Sequence, residues 1–348
     1  MELKTYSSNN KEKNIFFITV FITSLVFTKY YFLFTNEYYP PAQSDLIAKF
    51  EADKVFQKRY LIPIMASALT NTFDLSFDQS LKFLILLSTI ALIYGFNEML
   101  NLFNSNNTFQ FLSFFVLVPI FWNYAVLNSI FHAYDLPTLT FFCWGIVLFI
   151  KNKFLIFYIL FAIATLNRES TCFITVSIFL LNFEYIIKDK SKGLLVYFKI
   201  NKALFLHTFL QFLIWLGIVY FTKYLVKDNP GLFYEETFSM IHFLECMMRN
   251  DACWPYLDPN SFLSNPRSFL TLFLGLWIFI PIFWGYIPSS SKRLLLLIPV
   301  YLIPCILYAN LMESRVYHEL NIIISLAIVL GLHNFFFKNQ FQSEVDHS

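Results

Sequence analysis

Charged residues are scarce in this sequence. Asp, Glu, Lys and Arg make up 14% of its 348 residues, whereas a soluble domain carries about 25%. With only 8 Gly and 5 Cys, collagen-like and disulfide-scaffold classes are excluded. Phosphate-binding glycine loops and the zinc-protease and serine-hydrolase signatures are also missing. Apolar residues are abundant instead: 57% are hydrophobic, and 45 residues are Phe. No soluble core buries so many apolar side chains, so the composition predicts a polytopic membrane protein.

Ten apolar runs are candidates for membrane-spanning helices, each of which takes roughly 20 residues. The runs cover residues 15–35, 81–100, 109–127, 134–150, 154–167, 170–187, 203–224, 268–288, 294–311 and 321–337. Several are shorter than a full crossing and need packed ends or a thinned membrane. The first run continues into Lys29 without a small-residue cleavage site, which indicates a retained anchor rather than a signal peptide. The expected fold is therefore an all-α bundle of about ten spans.

Short loops rich in Lys and Arg mark the cytoplasmic side of a membrane protein. Basic residues occur at alternate connections, at 4–13, 151–153, 188–202, 292–293 and 338. All of these share one side only if residues 60–73 do not cross, so this segment is predicted to be an interfacial or re-entrant helix. Both termini then lie inside, and 16 of the 23 acidic residues lie outside. The basic residues flank the membrane, which gives no support for nucleic-acid binding.

This topology predicts one membrane domain between two short tails. The tails are residues 1–14 and 338–348, the membrane domain is 15–337, and its two large outer loops are 36–80 and 225–267. In the second of these loops, Cys246 and Cys253 face an oxidising compartment, where a disulfide between them is expected. Three other cysteines lie in spans and are expected to act as small apolar residues.

The first outer loop contains the candidate general bases. From Ser44 onward, apolar positions recur at helical spacing with carboxylates between them, which predicts an amphipathic helix on the membrane surface. Either these carboxylates are simply solvated, or one of Asp45, Glu51 and Asp53 faces a cavity and acts as a general base. Glu51-Ala52-Asp53 is also similar to the short metal-binding motif of some glycosyltransferases. A divalent metal is therefore the one cofactor left open, and no metal ligand set is assigned.

Polar residues also lie at the outer ends of later spans. Asp135, two residues before Pro137, is placed either to cap the helix that follows or to contact a ligand. Arg168 and Glu169 join two short apolar runs, where a buried charge must be paired or face a site. They either fix the turn as an ion pair, or Arg168 grips a phosphate oxygen of a lipid-borne donor.

A similar turn precedes the last span. Glu313 and Arg315 lie there, and Arg315 is four residues before Glu319, a spacing that suits an ion pair on a helix. The alternative is that Arg315 and Arg168 converge on one outer cleft and bind a phosphate or diphosphate.

Four stretches of this sequence, taken in order, resemble the GT-C superfamily of polyprenyl-phosphate-sugar-dependent membrane glycosyltransferases, in particular its poorly characterised bacterial relatives. The stretches are Gln57–Pro63, Tyr134-Asp135, Leu166–Ser170 and Glu313–Arg315. The resemblance covers residues 15–187 and the turn at 312–320. The adjacent acidic pair common early in that family's first loop appears here as Asn36-Glu37, so Asp45 is the better-placed candidate base.

The resemblance implies a one-step inverting sugar transfer at the outer face of a bacterial inner membrane. Asp45, or failing it Asp53 or Glu51, would deprotonate an acceptor hydroxyl while the polyprenyl phosphate leaves. Arg59, Arg168 and Arg315 would offset the charge on that phosphate, with Asp135, Glu169 and Glu313 as further substrate-binding residues. The acceptor, whether glycan, lipid or protein, is not specified. The alternatives are an envelope-polysaccharide polymerase, a transporter and a non-enzymatic assembly subunit.

Overall fold

The computed structural model describes residues 10–36, 39–103, 110–127, 130–182, 202–231, 266–308 and 314–345. Within these ranges the chain is helical, without a β-strand, which confirms the all-α class there. The α-helices are α1 Asn10–Phe34, α2 Ser44–Ala48, α3 Lys54–Gln57, α4 Leu61–Phe73, α5 Phe77–Phe103, α6 Leu117–Phe121, α7 Asp135–Ile150, α8 Phe154–Asn167, α9 Cys172–Leu181, α10 Lys202–Leu225, α11 Phe279–Phe283, α12 Ser289–Leu295, α13 Leu297–Tyr308 and α14 His318–Val345. Short 3₁₀ turns lie at Pro40–Ala42, Phe111–Val116, Glu169–Thr171 and Ser314–Tyr317, and a π-helical turn lies at Trp122–Val126. The segment Pro266–Ile278 consists of helical turns that are interrupted at 272–275, where the backbone is not helical.

Four helices of the described chain are long and apolar enough to cross a membrane: Lys11–Phe34, Phe77–Phe103, Lys202–Leu225 and Ser314–Phe337. They support the membrane character expected from the composition. The remaining apolar helices have 10–17 residues, which is shorter than the roughly 20 residues of a regular crossing.

The helix α14 lies at the centre of the bundle and α10 at its edge. In the most apolar 18-residue stretch of Ser314–Phe337, which contains most of α14, 72% of the residues are buried. In the corresponding stretch of α10, 17% are buried. The core around α14 joins side chains of α5, α6, α7 and α9 in one apolar cluster. The face of α10 that carries Phe205, Leu206 and Phe209 is exposed. A bilayer can cover such a face without cost, whereas water cannot.

Two glycines allow α5, α7 and α9 to pack closely. A Cβ on Gly95 of α5 would lie 2.8 Å from the indole nitrogen of Trp144 on α7, and a Cβ on Gly145 would lie 2.8 Å from Ile174 on α9. The Trp144 indole donates a hydrogen bond to the Ala91 carbonyl at 2.8 Å. Small residues at such contacts let helix backbones approach, as is common in membrane bundles.

The first outer loop forms three short helices instead of one continuous helix from Ser44. The expectation of a single surface helix there is wrong, because Phe50 adopts a left-handed backbone with φ of 62° that separates α2 from α3. Ile47 and Phe56 still face inward, at 1% and 3% exposed, whereas Phe50 is 41% exposed. The non-crossing segment predicted at 60–73 forms the 13-residue helix α4.

Candidate functional site

Three arginines from distant parts of the sequence converge on Tyr134. Arg59 follows α3, Arg168 lies between α8 and α9, and Arg315 lies in the turn before α14. The Arg59 and Arg315 Nη1 atoms donate hydrogen bonds to the Tyr134 hydroxyl at 2.9 Å and 3.0 Å. The Arg168 Cζ lies 5.8 Å from the centre of the Tyr134 ring. We call Arg59, Arg168, Arg315 and Tyr134 the arginine cluster.

The hydrogen of the Tyr134 hydroxyl is directed at His132. A phenol oxygen has one hydrogen and two lone pairs, and the two guanidinium donors occupy the lone pairs. Its hydrogen is therefore donated to His132 Nδ1, which lies 3.1 Å away. This requires a neutral His132 whose Nδ1 carries no hydrogen. Burial, together with the nearby charges of Arg315 and Arg59, holds the pKa of His132 well below its usual value.

Arg168 is held in a buried ion pair with Asp135. Its Nη1 lies 2.8 Å from Asp135 Oδ1, and the two residues are 9% and 0% exposed. The same Nη1 faces His318 Nε2 at 3.3 Å. His318 Nδ1 lies 2.6 Å from the Arg315 carbonyl, which only accepts hydrogen bonds. Thus Nδ1 carries the hydrogen, and Nε2 accepts from Arg168.

The role of Asp135 as a helix cap, one of the two alternatives, is wrong. Tyr134 occupies the cap position of α7, and Asp135 is the first residue of the helix itself. Pro137 does lie in the first turn, as expected. The carboxylate instead neutralises Arg168, because a buried guanidinium without a counter-charge costs several kcal/mol, on the order of the desolvation of one ion.

A second ion pair joins the first loop to the α8–α9 connection. Lys58 Nζ lies 3.0 Å and 2.8 Å from the two carboxylate oxygens of Glu169. Burial lowers the pKa of Lys58, and the Glu169 carboxylate opposes that shift. Trp215 of α10 donates its indole hydrogen to the Glu169 carbonyl at 2.7 Å. Arg168 and Glu169 therefore do not pair with each other but hold different neighbours, Asp135 and Lys58.

Asparagine side chains hold the turns that carry the arginines. Asn167 donates to the Tyr134 carbonyl at 2.9 Å, which fixes the residue before Arg168 to the start of α7. Asn123, in the π-helical turn, donates to Asn321 Oδ1 at 3.1 Å and accepts on its backbone carbonyl from Ser314 Oγ at 2.5 Å. The residue before Arg315 is thereby tied to a segment nearly 200 positions away. Irregular π turns of this kind are frequent at functional sites.

Arg59 is the member of the cluster that lies closest to the surface. Its side chain is half-buried. Its Cζ lies 4.9 Å from the centre of the Tyr134 ring and 6.0 Å from the centre of the Phe56 ring. Its Nε is buried and makes no hydrogen bond to any residue that the structure describes. A guanidinium that is pre-oriented between aromatic rings and keeps spare donors is suited to bind a phosphate or carboxylate.

The loop carboxylates lie apart from the arginine cluster. Asp45 lines a separate cavity of about 600 Å³, where its side chain is 49% exposed and 4.0 Å from Lys49. Glu51 is exposed and Asp53 is half-buried at the start of α3. Asp53 packs against Gly231, whose φ of 80° and tight contact leave no room for a side chain.

Other predicted residues lie outside the described ranges. These are Glu313, Cys246 and Cys253, so their roles stay predictions.

Arg315 and Glu319 contact different partners. Arg315 donates a hydrogen bond to Tyr134, and Glu319 accepts one from Tyr301 of α13. Among the residues that the structure describes, no three His, Cys, Asp or Glu come together as a metal-ligand set. The carboxylates nearest the cluster are already engaged by Arg168 and Lys58.

Several residues of the site were not found from the sequence. Tyr134 was noted only as the neighbour of Asp135, and His318, Tyr301 and Asn123 were not singled out. One signal was present, because polar residues inside apolar runs of a membrane protein usually face the bundle interior or a partner. Asn123, inside the run 109–127, meets that description, whereas His318 lies in the turn before the last run.

Comparison of the chain with known proteins found no matching family model, curated protein or solved structure. What the arginine cluster can do therefore has to follow from its own geometry and chemistry.

Proposed function

We propose that this protein transfers a sugar from a polyprenyl-phosphate donor to an acceptor hydroxyl at the outer face of the membrane, with inversion. The observation that carries the proposal is the convergence of Arg59, Arg168 and Arg315 on Tyr134. When the bond between sugar and phosphate breaks, negative charge grows on the phosphate that leaves. Pre-oriented guanidinium donors in a poorly hydrated site stabilise that charge without reorganising.

The three arginines would have different tasks. Arg168 is already neutralised by Asp135, so it contributes mainly to the rigid frame of the site. Arg59 is half-buried, whereas Arg168 and Arg315 are buried, so it is the arginine best placed to contact the donor phosphate. Tyr134 holds Arg59 and Arg315 at one hydroxyl and thereby fixes the position of both guanidiniums.

The lipid tail of such a donor has a matching surface nearby. A groove of about 540 Å³ runs between α1 and α6 and is lined almost entirely by apolar side chains, among them Phe27 and Trp122. The Phe27 ring stacks on Tyr31, which contacts Tyr124, whose ring lies 6.3 Å from that of His318. Two layers of aromatic side chains, Tyr31 and Tyr124, thus separate Phe27 in the groove from His318, which accepts a hydrogen bond from Arg168.

The proposal includes a bacterial inner-membrane bundle of about ten spans with both termini inside. Its support is that the start of α7, the end of α8 and the start of α14 meet at the arginine cluster, as one outer face requires. At the opposite end of α7, Lys151 pairs with Glu98 of α5. The shorter apolar helices would cross with their ends packed against neighbours.

The proposed base is one of the loop carboxylates, with Asp45 first and Asp53 or Glu51 as alternatives. The carboxylate takes the proton of the acceptor hydroxyl, the oxygen attacks the anomeric carbon, and the phosphate leaves with the bonding electrons. Asp135 and Glu169 are less suited to this step because each is engaged in an ion pair.

The test is a transfer assay in membranes that contain the full chain. A polyprenyl-phosphate-linked, radiolabelled sugar is supplied, and label is measured in acid-stable products. We expect transfer by the wild type, at least about tenfold less by Arg59→Gln, and unchanged transfer by Lys153→Gln, which removes an exposed charge from the α7–α8 connection. A ladder of products would favour the polymerase, and no transfer by any form would contradict the proposal.

A further inference from the structure

A second cavity lies beside the arginine cluster. It measures about 600 Å³ and is formed by the end of α1, the segment 39–45 and the start of α5. We call it the loop cavity. Its volume lies within the range of small-molecule sites, roughly 300–1,000 Å³, and it contains Asp45.

Part of the loop cavity is aromatic. Phe32, Tyr39, Phe77 and Phe131 line it, and the Phe32 and Phe131 rings lie 4.7 Å apart at an angle of 35°. The face of an aromatic ring is electron-rich and therefore attracts the weakly positive C–H groups on the apolar face of a sugar ring.

Polar and charged side chains line the same cavity. They are Gln43, Asp45, Asp78 and Lys82. Lys82 Nζ is 2.5 Å from Asp78 and 5.5 Å from the centre of the Phe32 ring. Carboxylate and amide oxygens accept hydrogen bonds from hydroxyl groups. Asp45 also lies 4.0 Å from Lys49, so the two carboxylates are matched by two ammonium groups, and the absence of a net formal charge favours a neutral ligand.

We propose that the loop cavity binds a neutral carbohydrate ring. Aromatic rings and hydrogen-bonding oxygens that line one cavity of this size suit the apolar face and the hydroxyl groups of a sugar. The further assignment of this sugar as the acceptor rests on the proposed function. It is supported by the position of the cavity: its Tyr39 ring lies 5.7 Å from Phe56, which in turn lies 6.0 Å from Arg59. Asp45 would then meet the acceptor hydroxyl.

The experiment is saturation-transfer-difference NMR on the full chain in lipid nanodiscs. The probes are the methyl glycosides of glucose, glucosamine and glucuronic acid, added one at a time without a lipid donor. We expect saturation transfer to the ring protons of the glucoside, and no tighter binding of the two charged probes. Asp45→Asn is expected to weaken binding of the glucoside about threefold to tenfold.

Two further variants test whether the sugar binds in the loop cavity: one blocks the cavity, and one is a control. Ser44→Trp places an indole at the wall of the cavity and is expected to abolish the signal. Asp74→Asn is the matched control, because it removes one carboxylate from the same loop outside the cavity, at a left-handed position with φ of 53° that Asn tolerates. Binding that survives Ser44→Trp, or no binding of any probe by the wild type, overturns the inference.

The result is separable from the transfer assay. Sugar binding without transfer would leave the loop cavity as a carbohydrate site and remove the proposed reaction. Transfer that depends on Arg59, without sugar binding in the loop cavity, would remove the carbohydrate site and leave the reaction in place.

Discussion

The arginine cluster and the loop cavity both gather charged residues at one end of the bundle, but they differ in burial. In the cluster, Asp135 is 0% exposed and Arg168 is 9% exposed. In the cavity, the side chains of Asp45 and Asp78 are 49% and 63% exposed. A buried ion pair must be complete because an orphaned charge has no water to solvate it. A solvated pair contributes little to stability, so its residues are free to serve a ligand.

The largest effect is expected for Asp135→Asn. This change keeps the shape of the side chain but leaves the Arg168 guanidinium buried without its counter-charge, which costs about 3–5 kcal/mol. Chemical unfolding of the full chain in detergent, followed by tryptophan fluorescence, measures the change in the free energy of unfolding. Stability equal to the wild type would show that the pair does not hold the fold together.

The next effect is expected for Tyr134→Phe, which removes the hydroxyl shared by Arg59, Arg315 and His132. Hydrogen bonds to charged groups contribute about 1.5–3 kcal/mol each, so we expect a loss of about 2–3 kcal/mol after partial relaxation. The same unfolding measurement applies, with Tyr220→Phe as the control because Tyr220 is 74% exposed. Equal stability of the two variants would contradict the role of Tyr134.

Acidification should affect the cluster through His132. Its pKa in the folded protein is lowered below the unfolded value, which is about 6.5. The contribution of neutral His132 to the free energy of unfolding is therefore complete above about pH 6.5, and it is lost as the pH falls from there towards the pKa of His132 in the folded protein. We expect the melting temperature to fall between pH 7.5 and pH 5, and to fall less for His132→Gln, whose amide oxygen can still accept from Tyr134. Parallel pH profiles would exclude His132 as a source of this effect.

The smallest effect is expected for the ion pair of Asp78 and Lys82. Both side chains are about half exposed or more, so a double-mutant cycle with Asp78→Asn and Lys82→Gln should give a coupling energy below about 0.5 kcal/mol. Chemical unfolding of the four proteins measures it. A coupling energy above about 2 kcal/mol would erase the distinction between the cluster and the cavity.

The helices were largely predictable from sequence and their breaks were not. Long apolar runs such as 81–100 and 203–224 fall within α5 and α10, because burial or lipid contact is a property of the local composition. The left-handed residue Phe50 was not predictable, since a bulky aromatic residue rarely adopts that conformation. Tertiary contacts of the loop with Asn229, which donates to the Phe50 carbonyl at 2.9 Å, accompany it.

The arginines of the site were predictable from the sequence, but most of their partners were not. Arg168 and Arg315 stood out because charges between apolar runs are costly unless they have partners, whereas Arg59 was indicated only by the resemblance. Their partners are far away in sequence: Asp135 is 33 positions from Arg168, and Glu169 is 111 positions from Lys58. Local spacing favoured Arg168 with Glu169 and Arg315 with Glu319, and the packing of the helices decided otherwise.

The central claim is that the arginine cluster holds the phosphate of a lipid. The most direct measurement is the binding of a fluorescent polyprenyl phosphate to the full chain in nanodiscs, compared between wild type, Arg59→Gln and Lys49→Gln. We predict that Arg59→Gln raises the dissociation constant at least about tenfold, equivalent to about 1.4 kcal/mol, while Lys49→Gln stays within about twofold. Wild-type affinity in Arg59→Gln, or an equal loss in both variants, would contradict the claim.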